Sequence, residues 1–382
     1  MRPPSSASAL YRKAALASIC YPAEADAIVQ YVRGFWDRPG AAPWEAPDGE
    51  PAYESAALPS PPPPDQLELF DTGMAGTSGG TGDSGAERYL GIVAPHIDLR
   101  ASPEAYSWAF QSWRAQPVAD TYLILGVGHH ANVDWSLDIY GYDTPLGKIE
   151  NNRKAVTEIV ETVGQETSQA AELLMDTQGH NKEHSIEFPL ICLQALHRLR
   201  HEQPDASAPR KGSSSTTAKA AVAPAFSFVP VLCSGLHREL HSGRMPGPKS
   251  MVGRLARALR IWLDAAEARG ERVHIITSID GCHQGPRFDH DYDVTPQVLG
   301  ATKAWENELW SLFAAADFPG FFKFLVKDGN VRYFDGVGAM SLLLMMYGEE
   351  LRFRRTCYRA AFSSRDHSAV TFSSGWLSLA AA

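Results

Sequence analysis

A short apolar run that ends on glycines and histidines constrains this chain most: Tyr122-Leu123-Ile124-Leu125-Gly126-Val127-Gly128-His129-His130. Tyr122 to Leu125 are continuously apolar, too short a stretch for an amphipathic helix and suited to a strand buried on both faces. The glycines let the backbone turn tightly, and His129 and His130 arrive where the strand ends. The pattern recurs twice. Tyr89-Leu90-Gly91-Ile92-Val93-Ala94 leads into Pro95 and His96, and Val273-His274-Ile275-Ile276-Thr277-Ser278-Ile279 leads into Asp280 and His283. In an open α/β sheet the carboxyl ends of adjacent strands face one crevice, where ligands bind. Three strands that each carry an imidazole or carboxylate to that end predict one shared site.

Around these strands the pattern alternates. Apolar spacing predicts helices over Ala27–Trp36, Pro103–Trp113, Arg153–Val163, Glu187–Arg200, 251–269, 297–315 and 317–327. Val337 to Tyr347 is apolar nearly all round and is expected to be a buried helix. Further strands are expected at Ser136–Tyr142, before a Thr144-Pro145-Leu146-Gly147 turn, at Phe226–Leu232, and at 352–362 and 369–380. Strand and helix alternate through most of this, which predicts one three-layer α/β sandwich spanning 10–380. Two stretches interrupt it. Residues 58–87 are rich in Pro, Gly and Ser, and 203–224 in Ala, Ser and Thr. Such composition buries too little apolar surface to offset its ordering entropy, so both read as disordered insertions. Within the first, Leu67-Glu68-Leu69-Phe70 is a short apolar patch with the makings of a docking segment.

Lys plus Arg number 35 against 44 Asp plus Glu, a net charge of −9 that argues against nucleic acid or an anionic membrane surface as the main partner. No apolar run is long enough to span a bilayer, and the first residues lack an apolar leader core, so a cytoplasmic protein is expected. Cys20, Cys192, Cys233, Cys282 and Cys357 are odd in number and scattered, with no CxxC pair. That argues against a disulfide framework or a thiolate zinc knuckle and in favour of small buried thiols. Cys282 alone, between Asp280 and His283, has a place from which to line the site.

The residues suited to chemistry are His96, His129, His130, Glu183, His184, Asp280, His283 and Asp335. Imidazole and carboxylate suit iron, zinc or manganese, and two His with one carboxylate leave open positions for oxygen and substrate. Neighbouring side chains on extended backbone point opposite ways, so His129 is favoured as a ligand, and His130 as a residue that supports the ligands from behind or packs. Glu183 and Glu187 are four apart and would share a helix face beside His184. The bland alternative for them is a solvated helix start with acids in its first turn.

The blocks Ala94-Pro95-His96, Ile124-Leu125-Gly126-Val127-Gly128-His129-His130, Glu183-His184-Ser185-Ile186-Glu187 and Ser278-Ile279-Asp280-Gly281-Cys282-His283-Gln284-Gly285 resemble, in order and spacing, those of the MEMO family. Its prokaryotic members are often labelled AmmeMemoRadiSam system protein B. The resemblance implies a fold similar to the class III extradiol dioxygenases, which hold non-haem Fe(II). It also implies iron or copper bound through residues matching His96, His129 and a cysteine, with those matching Asp280 and His283 beside the metal. This chain departs from that pattern: Asp335, in Phe334-Asp335-Gly336-Val337-Gly338, stands where the cysteine would be. The implied set becomes His96, His129 and Asp335, which suits Fe(II) best, with copper or zinc as the other candidates.

Three functions follow as expectations. The first is an Fe(II)-dependent, dioxygenase-like enzyme. In it His96, His129 and Asp335 ligate the metal, His283 is the acid/base, Asp280 orients it, and His184 with Glu183 positions a substrate. The second is a non-enzymatic module that binds a phosphopeptide or another anion in the same pocket. The third, implied by the family label alone, is a redox partner of a radical-SAM protein.

Overall fold

The computed structural model describes residues 11–37, 54–55, 87–110, 116–202 and 226–380. The two expected insertions and the Leu67–Phe70 patch lie outside these, except for Glu87. In chain order the strands are β1 (Tyr11–Lys13), β2 (Glu54–Ser55), β3 (Arg88–Ala94), β4 (Thr121–Val127), β5 (Trp135–Leu137), β6 (Gly141–Thr144), β7 (Gly147–Asn151), β8 (Ser227–Cys233), β9 (Val273–Ser278), β10 (His283–Gln284), β11 (Leu351–Ser363) and β12 (Ser368–Leu379). The α-helices are α1 (Ala25–Asp37), α2 (Pro103–Phe110), α3 (Arg153–Gly164), α4 (His184–Glu202), α5 (His237–Ser242), α6 (Met251–Ala268), α7 (Pro296–Ala314), α8 (Phe318–Asp328) and α9 (Val337–Tyr347).

Among the described residues these strands form one mixed sheet in the order β1-β6-β7-β8-β4-β9-β3-β12-β11-β2, with β5 on β8 and β10 on β12. Its centre, β8-β4-β9-β3, is parallel, and the long β11–β12 hairpin adds an antiparallel flank beside β3. The strand expected over 136–142 is two short ones, β5 and β6. Between them the backbone carbonyls of Asp138 and Ile139 accept from side chains, Asn151 Nδ2 at 2.8 Å and Arg153 Nε at 3.0 Å, while the buried Asp138 carboxylate accepts from Arg12 Nε at 2.5 Å.

The layers follow from the two-residue period of a strand. On β4, Leu123 and Leu125 face a core with Ile159 of α3, Leu255 of α6, Leu309 of α7, Phe321 of α8 and Leu343 of α9. Tyr122 and Ile124 face the other core, with Ile28 of α1, Tyr106 of α2 and Ile191 of α4. Helices thus cover both faces of an α/β sandwich, and the apolar-all-round α9 is buried as its composition requires. Burial of each such side chain stabilises the fold by roughly 1.5–3 kcal/mol. Several helices begin on a polar cap, as Asn152 accepts from Ala155 N, Ser250 from Gly253 N, Thr295 from Val298 N and Asp317 from Gly320 N.

One irregularity sits in β3. Opposite it, Leu377 pairs with Gly91 and Ser378 with Tyr89, so Leu90 is an extra residue in a bulge. The slip places Leu90 and Val93 in one core and Tyr89 and Ile92 in the other. Gly91 is obligatory beside it, because a Cβ there would lie 1.9 Å from the Ile275 carbonyl oxygen of β9. The strand that ends at His96 is thereby pressed against the strand that ends at Asp280.

At the opposite end of the sheet His274 is buried, its ring edge-on to Tyr89 at 5.1 Å. Burial, with Arg272 and Arg200 adding to it, pushes its pKa down to about 3. A folded pKa below the unfolded value means that the unfolded chain binds the extra proton. This contribution is therefore complete above about pH 6.5 and is lost as pH falls from there towards 3. Thermal or denaturant unfolding measured between pH 7 and 4 should show stability falling by at most about 1.4 kcal/mol per pH unit from this group. A His274→Phe variant should show a shallower fall; an unchanged slope would show that His274 is not the titrating group.

Candidate metal centre

Three adjacent strands end side by side, and each delivers a polar side chain two residues past its last ladder position: His96 after β3, His129 after β4 and Asp280 after β9. Asp280 is buried and its Oδ1 accepts from the backbone amides of His96 at 2.9 Å and Ile97 at 3.0 Å. The His96 ring turns back over the sheet, with Nδ1 3.0 Å from the Ser278 carbonyl at the end of β9. A carbonyl can only accept, so Nδ1 carries the proton and Nε2 is left to face the site.

Asp335 reaches the same point from the loop before α9, its Oδ2 3.0 Å from His96 Nε2; Asp280 Oδ2 lies 3.8 Å from that nitrogen. His96 Nε2 and both Asp335 oxygens are buried, and none has a partner in hydrogen-bonding geometry. Burial opposes charge on His96, but the carboxylates of Asp280 and Asp335 outweigh it and raise its pKa to about 10. Burial pushes the Asp280 carboxyl up, whereas the His96 cation holds Asp335 down despite its own burial.

The second half of the site comes from β4 and the start of α4. Glu183, fully buried, accepts from the His129 amide at 3.0 Å and lies 2.9 Å from His129 Nδ1. Its burial resists charge, but the hydrogen bond from His129, the nearby His184 and the Ser185 amide together hold it at about 2. His184 stacks on His129 with ring centroids 4.4 Å apart, and both rings stand edge-on to His96 at 5.0 Å. Burial, then His96 and His129, push the His184 pKa down to about 3.

Ligand-type atoms within 4.8 Å of one another form two groups among the described residues: His96 with His129 and His184, and His96 with Asp280 and Asp335. The expected set of His96, His129 and Asp335 is divided between them, with His96 common to both. The donors fit a divalent transition metal. Imidazole nitrogens fixed through Nδ1 to a carbonyl (His96) and a carboxylate (His129) are arranged as metal-ligating histidines usually are. His96 Nε2 and the Asp335 oxygens, a buried ion pair without hydrogen-bonding geometry, are also groups that a cation would satisfy.

His283 lies on β10, partly exposed, with Nδ1 3.1 Å from the Tyr333 carbonyl and its ring edge-on to Phe288. It lies close enough to Asp280 and Asp335 to interact electrostatically with both. Three expectations are corrected. His130 is exposed and does not pack. Glu187 does not join Glu183: it is buried on another side of α4, where it accepts from the amides of Ala15 and Leu16 and from Tyr21 OH, and so anchors the N-terminal segment. Cys282 turns away from the site and bonds Glu306, its thiol raised by burial.

Ser185 went unnoticed in the sequence. Its hydroxyl accepts from the Val127 amide at 3.0 Å and lies 2.9 Å from Glu183 Oε1, joining the end of β4 to the start of α4.

Among the described residues no helix is long and apolar enough to cross a membrane. Comparison with curated proteins gives no match. Residues 71–204 match the family model described as Memo-like protein, and the segment that carries His96, His129, Glu183 and His184 is therefore Memo-like.

Proposed function

We propose that the protein is a non-haem metal protein whose strand-end site holds Fe(II) for oxidative chemistry, with His96, His129 and Asp335 as ligands. The approach of His96 Nε2 to Asp335 Oδ2 at 3.0 Å, both buried and neither in hydrogen-bonding geometry, carries this reading. Two buried groups left so would be costly, and a shared cation removes the cost. Nitrogen and oxygen donors without thiolate are the set that suits Fe(II). His96, His129 and Asp335 would hold Fe(II) there, and it would supply redox chemistry.

The chain's own residues have separable tasks. Glu183 holds His129 in one tautomer, its Nε2 free, through the bond to Nδ1. Asp280 fixes the turn that carries His96. His283 donates Nδ1–H to the Tyr333 carbonyl, so Nε2 is the atom that takes a proton from a substrate hydroxyl. His184, stacked on His129, walls the site and supports a second reading: three imidazoles converging are also a zinc or copper set.

Metal content after anaerobic purification separates these. Near-stoichiometric iron, giving a ferrous nitric oxide EPR signal and lost in Asp335→Ala, is the expected result. Zinc or copper retained in Asp335→Ala but lost in His184→Ala would replace it with the three-imidazole centre, and a chain that takes up no metal would end both. In oxygen-uptake assays over a panel of aromatic diols, His283→Ala should keep its iron and lose about 10²–10⁴-fold in rate. Equal loss of iron and rate would remove His283 from the acid/base role.

A further inference from the structure

The Asp280–His283 segment is the junction of the site. Asp280 caps the amides beside His96, and the Gly281 carbonyl accepts from the Asp335 amide at 3.3 Å. The His283 amide donates to the Arg332 carbonyl at 2.9 Å in the loop that leads to Asp335. Whatever sets the height of this segment sets three functional side chains together.

Beneath it lies a carboxylate with no part in the chemistry above. Glu306 belongs to the core-facing stripe of α7, with Thr302, Leu309, Trp310 and Phe313, and it is fully buried. Its Oε1 accepts from the Cys282 amide at 3.3 Å and Thr371 Oγ1 at 2.9 Å, and its Oε2 from Tyr358 OH at 2.6 Å. Thr371 clasps the same segment, accepting from Gly281 N at 2.6 Å through its carbonyl and from Cys282 N at 2.7 Å through its hydroxyl. The fit leaves no slack: a Cβ on Gly281 would lie 2.3 Å from Glu306 Oε1 and 2.4 Å from Thr371 Oγ1. A carboxylate this deep among apolar neighbours is costly unless its bonds are specific, and every donor it has comes from this segment or from the β11–β12 hairpin behind it.

We propose that Glu306 is a positioning residue that holds the Asp280–His283 segment against β12 and through it sets Asp280, His283 and Asp335; its effect on metal rests on the centre proposed above. The side chain of Gln has the shape of that of Glu, so it is a close mimic. Gln keeps one acceptor oxygen for Cys282 and Thr371 and offers its NH₂ to the Tyr358 oxygen.

The test uses the full chain as wild type, Glu306→Ala, Glu306→Gln and the milder Tyr358→Phe. Fe(II) affinity is measured anaerobically by chelator competition, and amide hydrogen exchange is followed in metal-free protein. Ala should weaken Fe(II) binding about 10–100-fold, Gln should restore it to within about threefold, and Tyr358→Phe should fall between. In metal-free protein, Ala should speed exchange at the Cys282 and Asp335 amides and spare the His129 amide, which hangs on Glu183. Wild-type affinity in Ala, or in Tyr358→Phe if Ala does not fold, would overturn the inference. So would exchange that rises equally at His129. A wild type that binds no metal, with exchange altered in Ala and restored in Gln, would end the Fe(II) reading and leave the positioning role standing.

Discussion

The half of the candidate centre built on β3 and β9 hangs on one buried carboxylate. Asp280 accepts the amides of His96 and Ile97 and so fastens the end of β3 to the end of β9. The His96 ring fastens the same two strands in the opposite sense, from its Nδ1 to the Ser278 carbonyl. These bonds can be made only because the strands are already adjacent and in register, with Gly91 against Ile275 and Ala94 against Ser278. The bulge at Leu90 and the missing side chain at Gly91 belong to the same arrangement, since a bulkier residue would push β3 away from β9. The placing of His96 against Asp280 is thus a property of the sheet.

The legible part of this structure was the part written in local periodicity. Continuous apolar runs marked β3, β4 and β9, the all-round apolar stretch marked α9 residue for residue, and the side chains at the strand ends marked the site. His96, His129, His184, Glu183, Asp280 and Asp335 do come together, with His283 beside them. What could not be read was direction. Spacing placed Glu183 and Glu187 on one helix face, yet Glu183 precedes the first turn of α4 and bonds His129, while Glu187 turns to the N-terminal segment. His184 could be placed near the site but not stacked on His129, because that contact joins residues far apart in the chain. Glu306 carries a local signal: an acid spaced four residues from Thr302, three from Leu309, four from Trp310 and seven from Phe313 falls on the apolar stripe of its helix.

The site carries an electrostatic cost that the rest of the chain supplies the stability to bear. Glu183, Asp280 and Asp335 crowd four histidines at the edge of a core that is otherwise apolar, and several of their polar atoms lack partners. Left alone, such groups disfavour folding. They persist because the neighbouring layers are apolar on both faces of the sheet and because each carboxylate is tied at its other oxygen or along its backbone. Glu183 is tied to the His129 and Ser185 amides, Asp280 to the His96 and Ile97 amides, and Asp335 through its own amide to Gly281. A group fixed in this way cannot relax by turning outward to water. Its pKa shifts or it recruits a cation, and His96 and Asp335, paired across 3.0 Å, show the first of these: His96 is raised and Asp335 is held down.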